Sequence, residues 1–208
     1  MKQSEIFSET EGDAWYERNV LKDRWSNDPV LRITQELGIT PIRILEYGCA
    51  DGVRLAAYKS LYPRCVGIGV DPSRAAVADG KIKTGVGLRI GRAVDTFISP
   101  GTANLIIYGF CLYVCDPEDY FAIASVGDAQ LADEGHLVIH DFLPDHSHSV
   151  AYKHDTRITT RKMDFSKLWL AHPNYTLVRQ ERFPDGTGVS VLKKDTAIGF
   201  PMETLLDD

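Results

Sequence analysis

Cysteine, long apolar runs and clustered positive charge are all scarce in this sequence. The four cysteines form no Cys-x-x-Cys pair, and we expect them to be reduced and to act as small buried or ligand-wall residues. No segment reaches the length of a signal-peptide core or a membrane span, so we expect a cytoplasmic protein without a membrane partner. The net charge of -6, without a Lys/Arg cluster, argues against nucleic acid binding and favours a small-molecule substrate.

The length and composition are those of one globular domain. The chain has 208 residues, enough for one α/β core and short for two. Apolar residues make up 44% and charged residues 25%, which is typical of soluble globular proteins. We therefore expect a single domain over residues 1–208, with a core over 40–195 and a polar tail over 196–208.

Residues 42–71 carry the most informative pattern. A short apolar run over 42–46 ends at Glu46 and is followed by glycines at positions 48 and 52. Residues 51–62 suit a helix, and a second apolar run over 66–70 ends at Asp71. This order predicts a strand, a tight turn, a helix and a second, parallel strand. Each strand would bring a carboxylate to the edge of the sheet where ligands of such folds bind.

The alternation of strands and helices continues along the chain. Further strands are predicted over 86–90, 104–108 and 136–142, and a closing hairpin over 175–183 and 188–193. Helices are predicted over 14–25, after the N-cap Asp28 with Pro29 at the first helical position, after Asp71, and from Asp116 to a stop at Gly135. Residues 143–173 are irregular, with one helix over 163–171. The fold class is therefore α/β.

The first turn identifies a candidate family. Its string is Glu46-x-Gly48-x-Ala50-x-Gly52, which lacks the G-x-G-x-x-G spacing of a dinucleotide site. It resembles the E/D-x-G-x-G-x-G motif of the class I S-adenosylmethionine-dependent methyltransferases, with Ala50 in place of the middle glycine. That substitution is mild if φ at Ala50 is negative. The resemblance covers about residues 40–195 and implies a doubly wound, Rossmann-like, mostly parallel seven-stranded sheet with a C-terminal antiparallel hairpin.

The resemblance also implies the cofactor and its contacts. S-adenosylmethionine has no phosphate, and it carries an ammonium, a sulfonium and a ribose diol, so Glu46 would face the cation and Asp71 the diol. Residues 1–38 would form a helical lid, unless the aromatic residues there only pack on the core. Arg92 stands where the family often has an acid, so the adenine contact would come from Ala93 or from stacking by Arg92. The predicted cofactor-binding residues are Tyr16, Glu46, Gly48, Ala50, Gly52, Asp71, Pro72, Arg92, Ala93, Gly109 and Phe110.

The function implied by this resemblance is methyl transfer to a hydroxyl or amine of a small polar metabolite, such as a sugar-like compound. His140 and Asp141 would lie beside the methyl group, although they alternate along a strand and only one can face the cleft. His140 could equally be a structural histidine. The alternatives are a non-catalytic S-adenosylmethionine-binding module or degenerate partner subunit, and less favourably a NAD-dependent oxidoreductase, which lacks its glycine spacing here.

Residues 141–154 contain a candidate metal site. Five potential ligands gather within fourteen residues, namely Asp141, Asp145, His146, His148 and His154. The same residue types are also common in exposed loops, so we predict no metal. The sequence leaves the oligomeric state open, and also the choice among O-, N- and C-methylation.

Overall fold

A seven-stranded sheet forms the centre of the protein. The computed structural model describes residues 2–20 and 27–196. The strand order is β3-β2-β1-β4-β5-β9-β8, with the first five strands parallel and β9 and β8 antiparallel to their neighbours. These strands are β1 (Arg43–Tyr47), β2 (Val66–Asp71), β3 (Gly87–Ile90), β4 (Ala103–Gly109), β5 (Leu131–Phe142), β8 (Tyr175–Arg182) and β9 (Thr187–Lys194). The predicted Rossmann-like sheet and its closing hairpin are confirmed.

Helices cover both faces of the sheet, because the central strands are apolar on both sides. The helices are α1 (Gln3–Ile6), α2 (Gly12–Asn19), α3 (Pro29–Glu36), α4 (Val53–Leu61), α5 (Arg74–Lys83), α6 (Tyr120–Gln130) and α7 (Lys167–Leu170). Side chains of α3, α4 and α5 pack on one face in a core that includes Ile33, Leu55 and Val77. Side chains of α6 and α7 pack on the other, where Ile123 and Trp169 are buried.

Helix α3 begins as its sequence predicts. The side chain of Asp28 accepts hydrogen bonds from the backbone N–H groups of Val30 and Leu31, at 2.9 and 3.0 Å, and Pro29 occupies the first turn. The helix ends before Gly38, whose φ is +68°. The helix predicted over 14–25 corresponds in its first part to α2 (Gly12–Asn19), and positions 21–25 of that prediction lie outside the described residues.

The amino-terminal segment is helical from its start. A π-helical turn over Phe7–Glu11 joins α1 to α2, so residues 3–19 are helical without interruption. Asp116 fixes its beginning by accepting hydrogen bonds from the backbone N–H groups of Gln3 and Ser4, at 2.9 and 3.0 Å. Asp13 attaches the middle of the segment to the start of α5 by accepting a hydrogen bond from the hydroxyl of Ser73, the N-cap residue of α5, at 2.7 Å. The position of this segment on the core is compatible with a lid, and that role stays a prediction.

Two regions differ from the sequence prediction. Helix α6 ends at Gln130 rather than near Gly135, and β5 starts at once with Leu131. In the region predicted as irregular, β6 (His148–Ala151) and β7 (Thr159–Lys162) form a separate two-stranded antiparallel sheet. The helix predicted over 163–171 is reduced to α7, a single turn. No helix in residues 2–20 or 27–196 is long and apolar enough to cross a membrane.

Candidate active site

A cleft opens at the carboxyl ends of the parallel strands, under the amino-terminal segment. It holds about 770 Å³ of empty space, part of which is open solvent. Most of its wall is apolar, from Val70, Val114 and Trp15 among others. Seven of the predicted cofactor-binding residues line it: Gly48, Asp71, Pro72, Arg92, Ala93, Gly109 and Phe110.

The turn between β1 and α4 is built from three left-handed residues. Gly48, Ala50 and Gly52 have φ values of +72°, +48° and +72°. The condition that would make Ala50 a mild replacement is therefore not met, because a side chain in the left-handed region costs roughly 1–2 kcal/mol. At Gly48 a β-carbon would lie 2.8 Å from the carbonyl oxygen of Gly109 and 2.7 Å from the β-carbon of Cys111, so the two loops touch without room for a side chain.

Asp71 ends β2 and is the only carboxylate among the described residues that line this cleft. One of its oxygens accepts from the backbone N–H of Ala50 at 2.8 Å, and the other from that of Ser73 at 2.9 Å. These bonds fix the carboxylate at the strand end, where its side chain is 9% exposed within a mostly apolar wall. A carboxylate oxygen can accept more than one hydrogen bond, so this chemical group is of the kind that accepts from a ligand hydroxyl.

Glu46 lies elsewhere, on the face of the sheet that carries α4. It is fully buried and pairs with the guanidinium of Arg54, which also donates to Asp28 at 2.8 Å. Burial raises the pKa of Glu46 to about 7 despite the opposing effect of Arg54. One carboxylate oxygen, Oε2, has no hydrogen-bond partner in the described part of the chain. Glu46 does not line the cleft, and its predicted contact with a ligand ammonium stays a prediction.

The adenine side of the predicted site is formed by the residues after β3. Ala93 is buried and lines the cleft, as does Arg92. The guanidinium of Arg92 is held by Asp95 and donates to the Ser4 hydroxyl at 3.1 Å. Those contacts place Arg92 between the amino-terminal segment and the β3 loop, so it forms part of the cleft wall.

On α2, Trp15 rather than Tyr16 faces the cleft. The Tyr16 hydroxyl lies between the carboxylates of Asp79 and Asp51 and can donate its single proton to either of them, and its ring packs with Ala50 and Ala76 behind the glycine turn. Trp15 is one helix position away and lines the cleft directly. Tyr16 therefore supports the turn from outside, and its predicted cofactor contact stays a prediction.

His140 and Asp141 leave β5 on opposite faces, and neither lines the cleft. Asp141 is buried, and one oxygen accepts from the backbone N–H groups of Leu112 and Tyr113, at 2.9 and 3.3 Å. Burial raises the pKa of Asp141 to about 7, against the opposing effect of these backbone N–H groups. The carboxylate thus anchors the loop that follows β4.

His140 occupies the face that carries Arg54. Its Nδ1 atom is buried without a partner in the described residues, and burial together with Arg54 lowers the pKa of His140 to about 4. Its ring lies against Phe110, with 5.7 Å between ring centroids. Phe110 has a φ of +58°, so a strained residue of the cleft wall rests on a neutral, partly buried histidine.

A second, larger cleft adjoins the first. Both clefts are lined by Trp15 and Tyr113, which form a shared aromatic wall. The second cleft holds about 1260 Å³ of empty space, part of it open, between α2 and the β6–β7 sheet. Polar and charged side chains line it, namely Arg18, Asn19, Lys153, His154, Thr160 and Lys162. The two spaces therefore share one pair of aromatic side chains as lining residues.

Structure comparison identifies the fold. A 1,6-didemethyltoxoflavin-N1-methyltransferase from Burkholderia thailandensis, solved with bound 1,6-didemethyltoxoflavin and S-adenosylhomocysteine, matches with a TM-score of 0.70 and 18% identity over 93% of this chain and 87% of that chain. The O-methyltransferase of a trans-AT PKS multienzyme from Brevibacillus brevis matches with 0.68 and 11% over 94% and 80%. The chain has the class I methyltransferase fold. A methyltransferase from Mesorhizobium loti matches with 0.61 and 12% over 81% and 97%.

The resemblance inferred from the glycine turn is thus confirmed for the methyltransferase fold. No family model matches the sequence, and no curated protein is similar to it. At 11–18% identity the solved structures establish the architecture of this chain.

Several residues of the cleft walls were missed by the sequence prediction of this methyltransferase fold. They are Ser4, Phe7 and Gly12 of the amino-terminal segment and Tyr113 after β4, whereas Cys111 and Cys115 agree with the expectation that the cysteines are small buried or wall residues. Trp15 lies on the helix predicted over 14–25, and the sequence did not select it over Tyr16. Ser4, Phe7 and Gly12 could not be found from the sequence, because residues 1–12 are polar and carry no helical periodicity.

The histidine-rich region does not form a metal cluster in the described part of the methyltransferase fold. Within residues 2–20 and 27–196, the only three potential ligands that approach one another are Asp133, Glu134 and Asp195. That group is largely exposed and lies at the start of β5, away from both clefts. The five loop residues considered in the sequence are not brought together.

Proposed function

We propose that this protein transfers a methyl group from S-adenosylmethionine to a small-molecule acceptor. The observation that carries the proposal is a pair of clefts that share Trp15 and Tyr113 as lining residues. The first of these clefts lies at the strand ends of a methyltransferase fold. The first cleft would take the cofactor and the second the acceptor. The reacting atoms would meet at the shared aromatic wall.

The residues of the first cleft fit this cofactor in three respects. Asp71 offers acceptor oxygens for a ribose diol, and Ala93 with Val70 offers a flat apolar slot for a base. Trp15 and Tyr113 offer aromatic faces, which favour a cation such as a sulfonium. The fit departs from the expectation at Glu46, because Asp71 is the only carboxylate among the described lining residues. An ammonium would then be met by backbone carbonyl groups.

The chemistry asks little of the protein beyond alignment. When bound, S-adenosylmethionine supplies an activated methyl group, and transfer to a nucleophile requires no metal. The chain would exclude water and hold the acceptor in line, which is the contribution expected of the apolar walls. We propose a hydroxyl or amine of a small polar metabolite as the acceptor group, since polar side chains line the second cleft. The carbon–sulfur bond would break as the bond to the acceptor forms, and the proton displaced from the acceptor would pass to solvent, to which the second cleft is partly open.

His140 and Asp141 support this arrangement from below. Asp141 holds the loop that carries Tyr113, and the His140 ring supports Phe110. We propose that they position the cleft wall. Their predicted role as a base would require the acceptor proton to reach them through the loop. Tyr113 is the titratable group on the shared wall, and burial raises its pKa, so its hydroxyl stays protonated and can donate a hydrogen bond.

Calorimetry followed by a transfer assay tests the proposal. We expect the purified protein to bind S-adenosylmethionine and S-adenosylhomocysteine and not NAD. With methyl-labelled S-adenosylmethionine, label should pass into a fraction of small metabolites. Replacing Trp15 by Ala should weaken both binding and transfer, whereas Phe121→Ala, at a side chain 76% exposed on α6, should change neither. Binding without any transfer would indicate a non-catalytic module, and preferred binding of NAD would overturn the proposal.

A further inference from the structure

The second cleft has a distinctive charge. The basic side chains that line it are Arg18, Lys153, His154 and Lys162. No carboxylate is among the described residues that line it. The chain as a whole has an excess of acids, with 29 Asp and Glu against 23 Lys and Arg. The charge of this cleft wall, which has basic side chains and no acid among its described residues, is therefore opposite in sign to the net charge of the chain. Such a wall attracts and holds an anion.

Lys162 is the cation best placed to meet a ligand. It ends β7, and its Nζ atom lies 3.9 Å from the centroid of the Phe142 ring. Within residues 2–20 and 27–196 no carboxylate pairs with it, whereas many other lysines and arginines are paired, such as Lys83 with Asp79. The aromatic face orients the ammonium without neutralising it. A charge held in place and left without a counter-ion is ready for an anionic ligand.

Arg18 is fixed differently. Its Nη2 atom donates to the buried carboxylate of Glu11 and, at 3.4 Å, to the Tyr152 hydroxyl. The Tyr152 hydroxyl in turn donates to Glu11 at 2.8 Å. These contacts hold one edge of the guanidinium, and its Nε and Nη1 groups have no partner in the described part of the chain. A planar guanidinium held in this way can present two N–H groups to a carboxylate or phosphate.

The rest of the wall indicates the shape of the ligand. Trp15, Tyr113 and Tyr152 line the same cleft, so a flat ring or apolar body is favoured next to the charged groups. Trp15 and Tyr113 are also the boundary with the first cleft. The end of the ligand that lies on this boundary would be the end that reacts.

We propose that the acceptor is a small ring-containing acid, whose carboxylate or phosphate is bound by Lys162 and Arg18 while its nucleophilic end faces Trp15 and Tyr113. This inference rests on the proposed methyl transfer, because it assigns the second cleft to the acceptor. It narrows that function from any small polar metabolite to an anionic one. Charge on the ligand then sets which compounds are accepted, and the aromatic wall sets their orientation.

Matched acid and amide ligands test this inference. The probes are hydroxy- and amino-substituted benzoates and phenylacetates, their primary amides, which keep the shape and lose the charge, and the corresponding phenyl phosphates. Binding is measured by ligand-observed NMR and calorimetry, with and without saturating S-adenosylhomocysteine. We expect acids to bind at least about tenfold more tightly than their amides. The comparison of carboxylates with phosphates identifies which anion the cleft prefers.

Substitutions locate the effect. Lys162→Gln should remove most of the preference for acids, and Lys59→Gln, at an exposed residue of α4 remote from both clefts, should preserve it. Melting temperatures would show that both variants are folded. Equal binding of acids and amides, tighter binding of amines, or binding of neither set by the parent protein would overturn the inference. If S-adenosylhomocysteine does not bind, the proposed function fails, and the ligand comparison made without it still decides the charge preference.

Discussion

Asp71 accepts a hydrogen bond from the backbone N–H of Ala50, and this 2.8 Å contact joins the end of β2 to the strained centre of the glycine turn. The carboxylate that faces the candidate cofactor cleft is therefore also the group that holds the turn in place. Strain at Ala50 and ligand binding at Asp71 are connected through one hydrogen bond.

The strain at Ala50 leads to a first prediction. Ala50→Gly removes a left-handed alanine, which costs roughly 1–2 kcal/mol, but increases the freedom of the unfolded chain by about 0.4–1 kcal/mol. We expect the free energy of unfolding to stay equal or rise by up to about 1 kcal/mol, with cofactor affinity retained. Gly48→Ala should lower it by about 2–5 kcal/mol, because strain and overpacking add. Urea denaturation measures both, and a stable Gly48→Ala variant would contradict the described turn.

Asp71 should control cofactor affinity. Asp71→Ala removes the acceptor for a ribose diol, and we expect S-adenosylmethionine to bind roughly 10- to 100-fold more weakly, from about 1.5–3 kcal/mol per lost bond. Calorimetry gives the dissociation constant. Asp133→Ala, at an exposed acid near the start of β5, is the matched control and should bind like the parent. Unchanged affinity in Asp71→Ala would show that the cofactor does not use this strand end.

Glu46 should behave differently. Glu46→Ala removes one of the two carboxylates that pair with the buried guanidinium of Arg54 in the described residues, and breaking such a pair typically costs about 3–5 kcal/mol. We expect a large fall in the unfolding free energy. Glu46→Gln keeps the shape and separates the two roles: if its affinity for S-adenosylmethionine equals that of the parent, Glu46 is structural, whereas a tenfold loss would support the ammonium contact predicted from the sequence.

Protonation of His140 should weaken the fold in acid. Its pKa is about 4 in the folded protein and about 6.5 in an unfolded chain, so the unfolded state binds the proton first as the pH falls. Stability is complete above pH 6.5 and declines toward pH 4, by about 3 kcal/mol from this group. The buried carboxyls change stability in the opposite sense over that range. The measurement is therefore the difference between the parent and His140→Asn, which should shift by about 3 kcal/mol in favour of the variant between pH 7 and 4.

Asp141 is predicted to hold the loop after β4. In the parent, backbone N–H groups donate to both carboxylate oxygens of Asp141, whereas Asp141→Asn keeps only one acceptor oxygen. We therefore expect the free energy of unfolding to fall by about 1–3 kcal/mol. Hydrogen exchange should accelerate at the amides of Leu112 and Tyr113. Asp145→Asn, at an exposed acid four residues away, is the control. If exchange is unaffected while methyl transfer falls by 100-fold or more, Asp141 acts as the base that the sequence suggested.

The sheet could be predicted from the sequence because each parallel strand is an apolar run that ends at a glycine or an acid. The sequence did not predict that Asp71 lines the cleft while Glu46 is buried on the α4 face of the sheet. Both end apolar runs, yet the register pairs Glu46 with Gly69, two residues before Asp71. Glu46 therefore lies inside the sheet, with its side chain toward Arg54. Strand register, which depends on contacts between distant residues, decides which acid reaches the cleft.

The elements around the second cleft were hidden for another reason. The strands β6 and β7 are short and largely exposed, so they lack the alternation that marks a half-buried strand. On α2, neighbouring positions point about 100° apart, and the choice between Trp15 and Tyr16 depends on how the helix docks. The sequence showed that this helix carries aromatic residues, but it did not show which of them faces the cleft.

The shared wall has a thermodynamic consequence. Since Trp15 lines both clefts and the segment that carries it is fastened by Asp13 and Asp116, either ligand would stabilise the same docked segment. Occupation of one cleft then raises affinity for the other, and linkage requires the two enhancements to be equal. The demethylated cofactor would hold the segment as firmly as the methylated one. Product inhibition by S-adenosylhomocysteine is thus expected to deepen as the acceptor concentration rises.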